Sequence, residues 1–205
     1  LANSELNVNI QARIVQVGEY YTEQKVDIDK VKIDLKKGAG EIYGLKLYNP
    51  SEYQEKYTLT IERLIFKFDP KSLNEKVINI NGIELYGSKF YIESMNNNNK
   101  IKVTNFEELY QLLNSKIALI RDRKRQKSEV FINSEEITLM NSQIVSLVDT
   151  SLNKSITENS TKIVLKPVGG ETGLPASLFG IEVLRKILEV SANLDLKKNN
   201  EKISD

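Results

Sequence analysis

The stretch Lys36-Lys-Gly-Ala-Gly-Glu-Ile-Tyr-Gly-Leu-Lys-Leu-Tyr-Asn-Pro50 decides how this chain folds. It joins a strand ending near Asp34 to a second strand and closes on Tyr48-Asn49-Pro50. Gly38, Gly40 and Gly44 mark a turn followed by a strand whose backbone must bend or be closely approached. Asn49 and Pro50 supply the stop, because proline cannot donate to a continuing ladder.

The same strand pattern recurs on either side. Val26-x-Ile28 is followed, after two polar residues, by Val31-x-Ile33. Leu59-x-Ile61-x-x-Leu64-x-Phe66, running on to Phe68, and Ile78-x-Ile80-x-x-Ile83-x-Leu85 repeat the arrangement. Gly40-x-Ile42-x-x-Leu45-x-Leu47 is a copy with glycine in its first place. An ordinary strand keeps one phase of alternation; here the phase slips in the middle each time. A β-bulge inserts one extra residue and bends the sheet, so a row of such strands predicts strong curvature. The alternative is two short strands around a tight turn at each slip. Asp29-Lys30 and Glu62-Arg63 are poor turn residues, which favours bulges, whereas Asn81-Gly82 is a strong hairpin signal.

Helical spacing of Leu6, Ile10, Ile14, Val17 and Tyr21 predicts an amphipathic helix over 6–22, weakened at Gly18. Thr104 and Glu107 form a capping box that opens a second helix, 104–120, with Phe106, Leu109, Leu113, Ile117 and Ile120 on its apolar stripe. Pro175 opens a third, 175–195, striped by Leu178, Ile181, Leu184 and Leu188. Asp69-Pro70-Lys71-Ser72 breaks a strand and leads into a short helical turn, and Ser88–Met95 reads as a separate strand. Asn96–Asn99 reads as a solvated loop, 149–160 as polar loop, and Thr161–Pro167 as a strand. The expected organisation is one α+β, mainly β domain over 1–196. It holds a strongly curved, mostly antiparallel, bulged sheet over 25–95, further strands over 129–166, about three helices, and a polar tail over 197–205.

A chain of 205 residues, 40% apolar and with net charge +1, is long enough for a real core and gives no electrostatic reason to expect nucleic acid. The absence of cysteine removes disulfides and thiolate metal sites, and the absence of histidine removes the commonest general base and metal ligand. Gly38-Ala-Gly40 and Gly169-Gly170 match neither a P-loop nor a dinucleotide fingerprint. Ser72 beside Lys71 and Ser155 beside Lys154 read as ordinary loop residues, and Asp27/Asp29 and Glu135/Glu136 as solvated carboxylates. The early tyrosines, 20, 21, 43, 48, 53 and 57, suit a core rim better than a base-stacking platform. Arg121, Arg123, Lys124 and Arg125 form a candidate contact for phosphate or anionic lipid; the blander reading is a cationic helix end favoured by the dipole. No catalytic residue, metal site or cofactor is expected.

Residues 11–85 resemble the small AsmA-like proteins of the bacterial envelope. In that family a helix and strand precede a Gly-x-Gly-x-Ile-x-Gly-Leu-x-Ile-x-Asn-Pro segment, matched here from Gly38 to Pro50. A Leu-x-Ile-x-x-Ile strand, an Asp-Pro-x-Ser-Leu break and an Ile-x-Ile-x-x-Ile strand follow, as at Leu59–Phe68, Asp69–Leu73 and Ile78–Leu85. The second half is similar more loosely, through Asn105–Leu109 and Gly173–Ala176, and departs over Glu129–Ser160. The resemblance implies a periplasmic protein attached to the inner membrane of a Gram-negative bacterium, with its anchor upstream of this chain. It also implies a non-enzymatic part in lipid transport or outer-membrane homeostasis through an apolar β-groove.

The candidate groove or core face is Ile42, Leu45, Leu47, Leu59, Ile61, Leu64, Phe66, Phe68, Ile78, Ile80, Ile83 and Leu85. Phospholipid, other envelope proteins or a second copy are the expected partners. The alternative is a scaffold subunit of a periplasmic machine, such as a secretion or motility complex, with the helices filling the groove. The two readings part on whether the first and last helices lie inside the curve.

Overall fold

The computed structural model of the chain describes residues 2–95, 103–121, 129–147, 154–159 and 162–203. Helix α1 (Ala2–Thr22) leads into β1 (Val26–Asp27), β2 (Lys30–Asp34), β3 (Ala39–Tyr48) and β4 (Tyr57–Phe68). A 3₁₀ turn (Pro70–Asn74) precedes β5 (Val77–Met95), β6 (Val103–Thr104) and α2 (Asn105–Arg121). The rest is β7 (Phe131–Ser134), β8 (Ile137–Met140), β9 (Ser142–Leu147), β10 (Lys154–Asn159), β11 (Ile163–Leu165), β12 (Leu174–Pro175) and α3 (Ala176–Ile203).

This is an α+β fold, mainly β. Among the described residues the strands form one open sheet, built from β1 and β2 on β3, then β4, then β5. The far edge of β5 carries β7, β8 and β9 in succession, which in turn carry β12, β11 and β10. Pairing is antiparallel except along that far edge, where β7, β8 and β9 run parallel to β5. Their register never shifts between Val77↔Phe131 and Glu93↔Leu147, so they behave as one long strand interrupted twice. Both halves of the chain thus share one sheet, as expected. The sheet is not closed, and its openness lends no support to the strong curvature expected of it.

The phase slips in β3 and β4 have a different origin from the bulges expected, whereas the slip between Ile80 and Ile83 in β5 is a bulge as expected. At the first row, Tyr43↔Arg63 and Leu45↔Ile61 place Gly44 opposite Glu62, while Arg63↔Tyr86 and Ile61↔Ser88 place Glu62 opposite Gly87. The parallel ladder continues the row to Asn141. A bulge sets two residues against one; here every strand slips together and the register survives. In this row Gly44 (φ 63°), Gly87 (φ 63°) and Asn141 (φ 52°) take the left-handed conformation while Glu62 does not, and asparagine is among the few non-glycine residues that tolerate it. True register shifts fall between Leu47 and Tyr48, and between Lys67 and Phe68 opposite the Ile80/Ile83 slip. The second of these absorbs Asn81, so Asn81-Gly82 makes a bulge within β5 and not a hairpin. The two strands read over 78–85 and 88–95 are therefore one.

Gly44 is also shielded: a Cβ there would lie 1.9 Å from the Asp29 carboxylate. Gly44→Ala is expected to cost about 1–2 kcal/mol for the left-handed backbone alone, plus displacement of Asp29. A change in urea midpoint no larger than that of an exposed-strand alanine would contradict the role of the row.

The helices carry the expected stripes. Thr104 Oγ1 accepts from Glu107 N at 3.1 Å and Glu107 Oε2 accepts from Thr104 N at 3.2 Å, completing the capping box. Phe106, Leu109, Leu113 and Ile117 are buried, as are Leu178, Ile181 and Leu188. Gly18 does not end α1; a Cβ there would meet Val26 Cγ2 at 3.0 Å, so the glycine admits β1 against the helix.

Three boundaries differ from expectation. Pro175 pairs with Phe131 in β12, so α3 begins at Ala176. α3 then runs on to Ile203, through most of the stretch expected as a polar tail. Residues 154–159, expected as loop, form β10 through main-chain pairing with β9. Lys-Ser-Ile-Thr-Glu-Asn offers one apolar residue in six, too few to show alternation.

Candidate functional site

The candidate face assembles from cross-strand partners. Ile42, Leu64, Leu85 and Leu139 form one rank across β3, β4, β5 and β8; Leu47, Leu59, Phe90 and Ile144 form another. Inward-facing apolar residues in neighbouring strands stand opposite one another and create a continuous apolar surface. That surface is occupied. Leu47, Leu59, Ile61, Phe68, Ile80, Ile83 and Leu85 share one buried cluster with Phe106, Leu109, Leu113 and Ile117 of α2 and with Phe179, Ile181, Ile187 and Leu188 of α3. Leu45, Leu64, Phe66 and Ile78 are half-buried against the same cluster. Ile42 joins Ile28, Val31 and Ile33 in a smaller cluster, covered by Ile10, Ile14 and Val15 of α1. Leu59 is 1% and Leu85 0% exposed, so the helices lie on this face and fill it.

The glycine motif is built into the same end of β3 and β4. A Cβ on Gly38 (φ 63°) would lie 2.1 Å from the Phe68 carbonyl oxygen, and Phe68 N donates to Gly38 O at 2.8 Å. The Phe66 ring lies over Gly40, its direct partner across the ladder, where any side chain would collide with it. The first two glycines therefore serve close approach, and only Gly38 and Gly44 need a left-handed backbone.

Asn49 sits at the opposite end and ties three segments together. Its Nδ2 donates to Glu55 O and Tyr57 O, both at 2.9 Å. Its Oδ1 accepts from Thr58 Oγ1 at 2.6 Å and from Asn105 Nδ2 at 2.9 Å. Asn105, the first residue of α2, also donates to Tyr91 O at 2.8 Å and accepts from Glu93 N at 3.0 Å. The buried Glu93 carboxylate in turn accepts from the backbone N–H groups of Gln54 and Glu55, at 2.9 and 2.8 Å. The motif that ends β3 is thus a clasp joining the loop over 50–56, β5 and α2.

The remaining candidates do not converge. Arg121 is the last residue of α2, and Arg123, Lys124 and Arg125 lie outside the described residues, as do Asn96–Asn99. Ser72 is buried, its hydroxyl donating to Asp69 O at 2.6 Å, so it serves the 3₁₀ turn. Lys154 and Ser155 open β10. Glu136 accepts from Thr138 Oγ1 at 3.0 Å and pairs with Lys162 at 3.3 Å. Asp29 pairs with the Lys46 ammonium at 3.3 Å. A shallow cavity of about 420 Å³ opens beside Gly44, with Asp29, Tyr43, Lys46, Thr60 and Glu62 on its walls. These groups have mixed charge and the cavity is open to solvent.

Tyrosines account for the strongest titration shifts. Tyr48 O–H donates to Asp27 Oδ2 at 2.6 Å, which lowers the carboxyl and, with some desolvation, pushes the phenol up to about 12. Burial, and then the hydrogen bond to Glu108, push the Tyr53 phenol higher still. Tyr43 shares Glu41 with Arg63, which holds that carboxyl below its ordinary range. A raised phenol favours the protonated folded state. The stability it carries is therefore complete below the ordinary phenol value of 10.0 and is lost as pH rises through about 12. Loss of structure is expected over that alkaline interval, followed by circular dichroism beside phenolate absorbance. A Tyr48→Phe variant with an unchanged alkaline profile would refute the assignment.

Neither a protein-family model nor a curated protein matches this chain. The AsmA-like resemblance therefore rests on Gly38–Pro50 and the strand motifs that follow. Among the described residues, no helix is long and apolar enough to cross a membrane.

Proposed function

We propose that the chain is a non-enzymatic domain of the bacterial cell envelope, on the periplasmic side of the inner membrane. In this reading it works as a structural subunit that binds other envelope proteins. The compartment follows from the AsmA-like resemblance. The choice of scaffold over lipid carrier follows from one observation: α1, α2 and α3 fill the apolar face that a lipid would need. A filled core of this kind makes a rigid body. A carrier would instead have to expel two helices and expose Leu59, Leu85 and Phe90 for every acyl chain taken up.

The test is affinity purification of the full-length protein from cross-linked membranes, with native mass spectrometry on the same material. Recovery of a defined protein partner with no co-purifying lipid supports the scaffold reading. A stoichiometric phospholipid without a protein partner would overturn it in favour of lipid transport, and recovery in the cytosolic fraction would remove the compartment.

A further inference from the structure

The end of the sheet opposite the Asn49 clasp presents lysines and exposed leucines together. The turn between β2 and β3 carries Leu35, Lys36 and Lys37, and the segment between β4 and β5 carries Lys71, Leu73 and Lys76. The fold brings the two together. Ala39 pairs with Lys67, Phe68 N donates to Gly38 O, and a Cβ on Gly38 would lie 2.8 Å from Pro70 Cδ. Leu35 is 41% and Leu73 37% exposed, so two large apolar side chains stand in solvent where the lysines cluster.

The tip is rigidly made. Asp34 Oδ1 accepts from the backbone N–H groups of Lys36 and Lys37 at 3.1 and 3.0 Å. Asp69 accepts from Lys71 N at 2.9 Å. Ser72 is buried and accepts from Asn79 N, which pins the 3₁₀ turn and keeps Leu73 outward. Lys36, Lys37, Lys67, Lys71 and Lys76 are all exposed, against Asp34, Asp69 and Glu75 in the same segments and Glu5 on the neighbouring first turn of α1. Among the described residues, one ion pair engages these lysines, Lys37 to Asp34 at 3.9 Å. The other lysines keep their charge for a partner.

We propose that this tip docks on the surface of an anionic lipid membrane, Leu35 and Leu73 entering the interface while the lysines meet the headgroups. Apolar side chains presented on tight turns and ringed by lysines suit a bilayer surface, because burial of a few methylenes adds to attraction by anionic lipid. Nucleic acid would use the lysines and leave the leucines without a role. The inference is independent of the envelope reading, since it needs only an anionic bilayer.

The experiment is flotation of the full chain with phosphatidylcholine vesicles, with and without phosphatidylglycerol. Binding is expected to the anionic vesicles alone and to weaken with salt. Lys36→Ala with Lys37→Ala should lower partitioning on the order of 30-fold, at about the usual contribution per lysine. Leu35→Ser with Leu73→Ser should lower it on the order of tenfold. Both pairs replace exposed side chains, and unchanged thermal melting verifies that they fold. Absence of binding to anionic vesicles by the unaltered protein overturns the proposal. So does loss with the lysine variants alone, which marks a general anion surface. Binding that survives both pairs and disappears when Arg121, Arg123, Lys124 and Arg125 are neutralised belongs to that segment and overturns it as well.

Discussion

Asn49→Ala is expected to lower the unfolding free energy by about 3 kcal/mol, read as a shift in urea midpoint at constant m-value. The side chain makes four hydrogen bonds, two donated to the carbonyls of Glu55 in the loop and Tyr57 at the start of β4 and two accepted from Thr58 and Asn105. Thr58 is fully buried and Asn105 nearly so; truncation leaves the Thr58 hydroxyl proton and one Asn105 N–H without an acceptor, although Thr58 Oγ1 still accepts from Gln24 and Asn105 still donates to Tyr91 O. Each orphaned group costs about 1–3 kcal/mol; the total stays below the simple sum because Asn49 is itself half-exposed and water can reach its carbonyl partners. Asn49→Asp separates the two roles. It keeps the acceptor for Thr58 and Asn105 but sets a carboxylate against the carbonyls of Glu55 and Tyr57, so it should be no milder than alanine. A loss under about 1 kcal/mol for Asn49→Ala would mean that the clasp does not hold the loop to α2.

That residue shows how far the sequence could be read. The position of Asn49 before Pro50 marks the end of β3, and Thr104 with Glu107 marks the start of α2, because both signals are local. The bond between them is not local: Asn105 lies far along the chain, and no spacing rule links it to Asn49. The slips in β3 and β4 were visible because apolar residues occupy both sides of each slip, as at Ile42/Leu45 and Ile61/Leu64. In the second half the inward positions of β7, β8 and β9 are Ser134, Ile137, Leu139, Ser142, Ile144 and Ser146, all buried. Serine at three of these six inward places hides the period, so the second passage of the pattern reads as further strands without the repeat. β5 slips twice, near Asn81 and at Gly87, and the second slip read as a break between strands. Whether helices covered the apolar face was beyond any pattern within a strand, since it depends on where α1, α2 and α3 dock.

Leu85→Ala should be the most damaging of these substitutions, costing about 4 kcal/mol, because it removes a side chain packed on every side. Leu85 has no exposed surface; Leu64 and Leu139 flank it across the ladder, and it shares its cluster with α2 and α3. Truncation therefore leaves a hole that rigid neighbours on the sheet and two helices cannot close. On a lipid-lined or water-lined groove the same substitution would lose little more than the transfer term of the removed atoms, about 1–2 kcal/mol. The size of the effect thus separates the scaffold from the carrier without identifying any ligand. A fall near 4 kcal/mol, unchanged by added phospholipid, fits a face sealed by its own helices. A fall near 1 kcal/mol, or one reversed by phospholipid, would mean that the face opens in solution and that α2 and α3 are a lid. Leu119 of α2, 70% exposed, supplies the control: its truncation should change stability by no more than a few tenths of a kcal/mol.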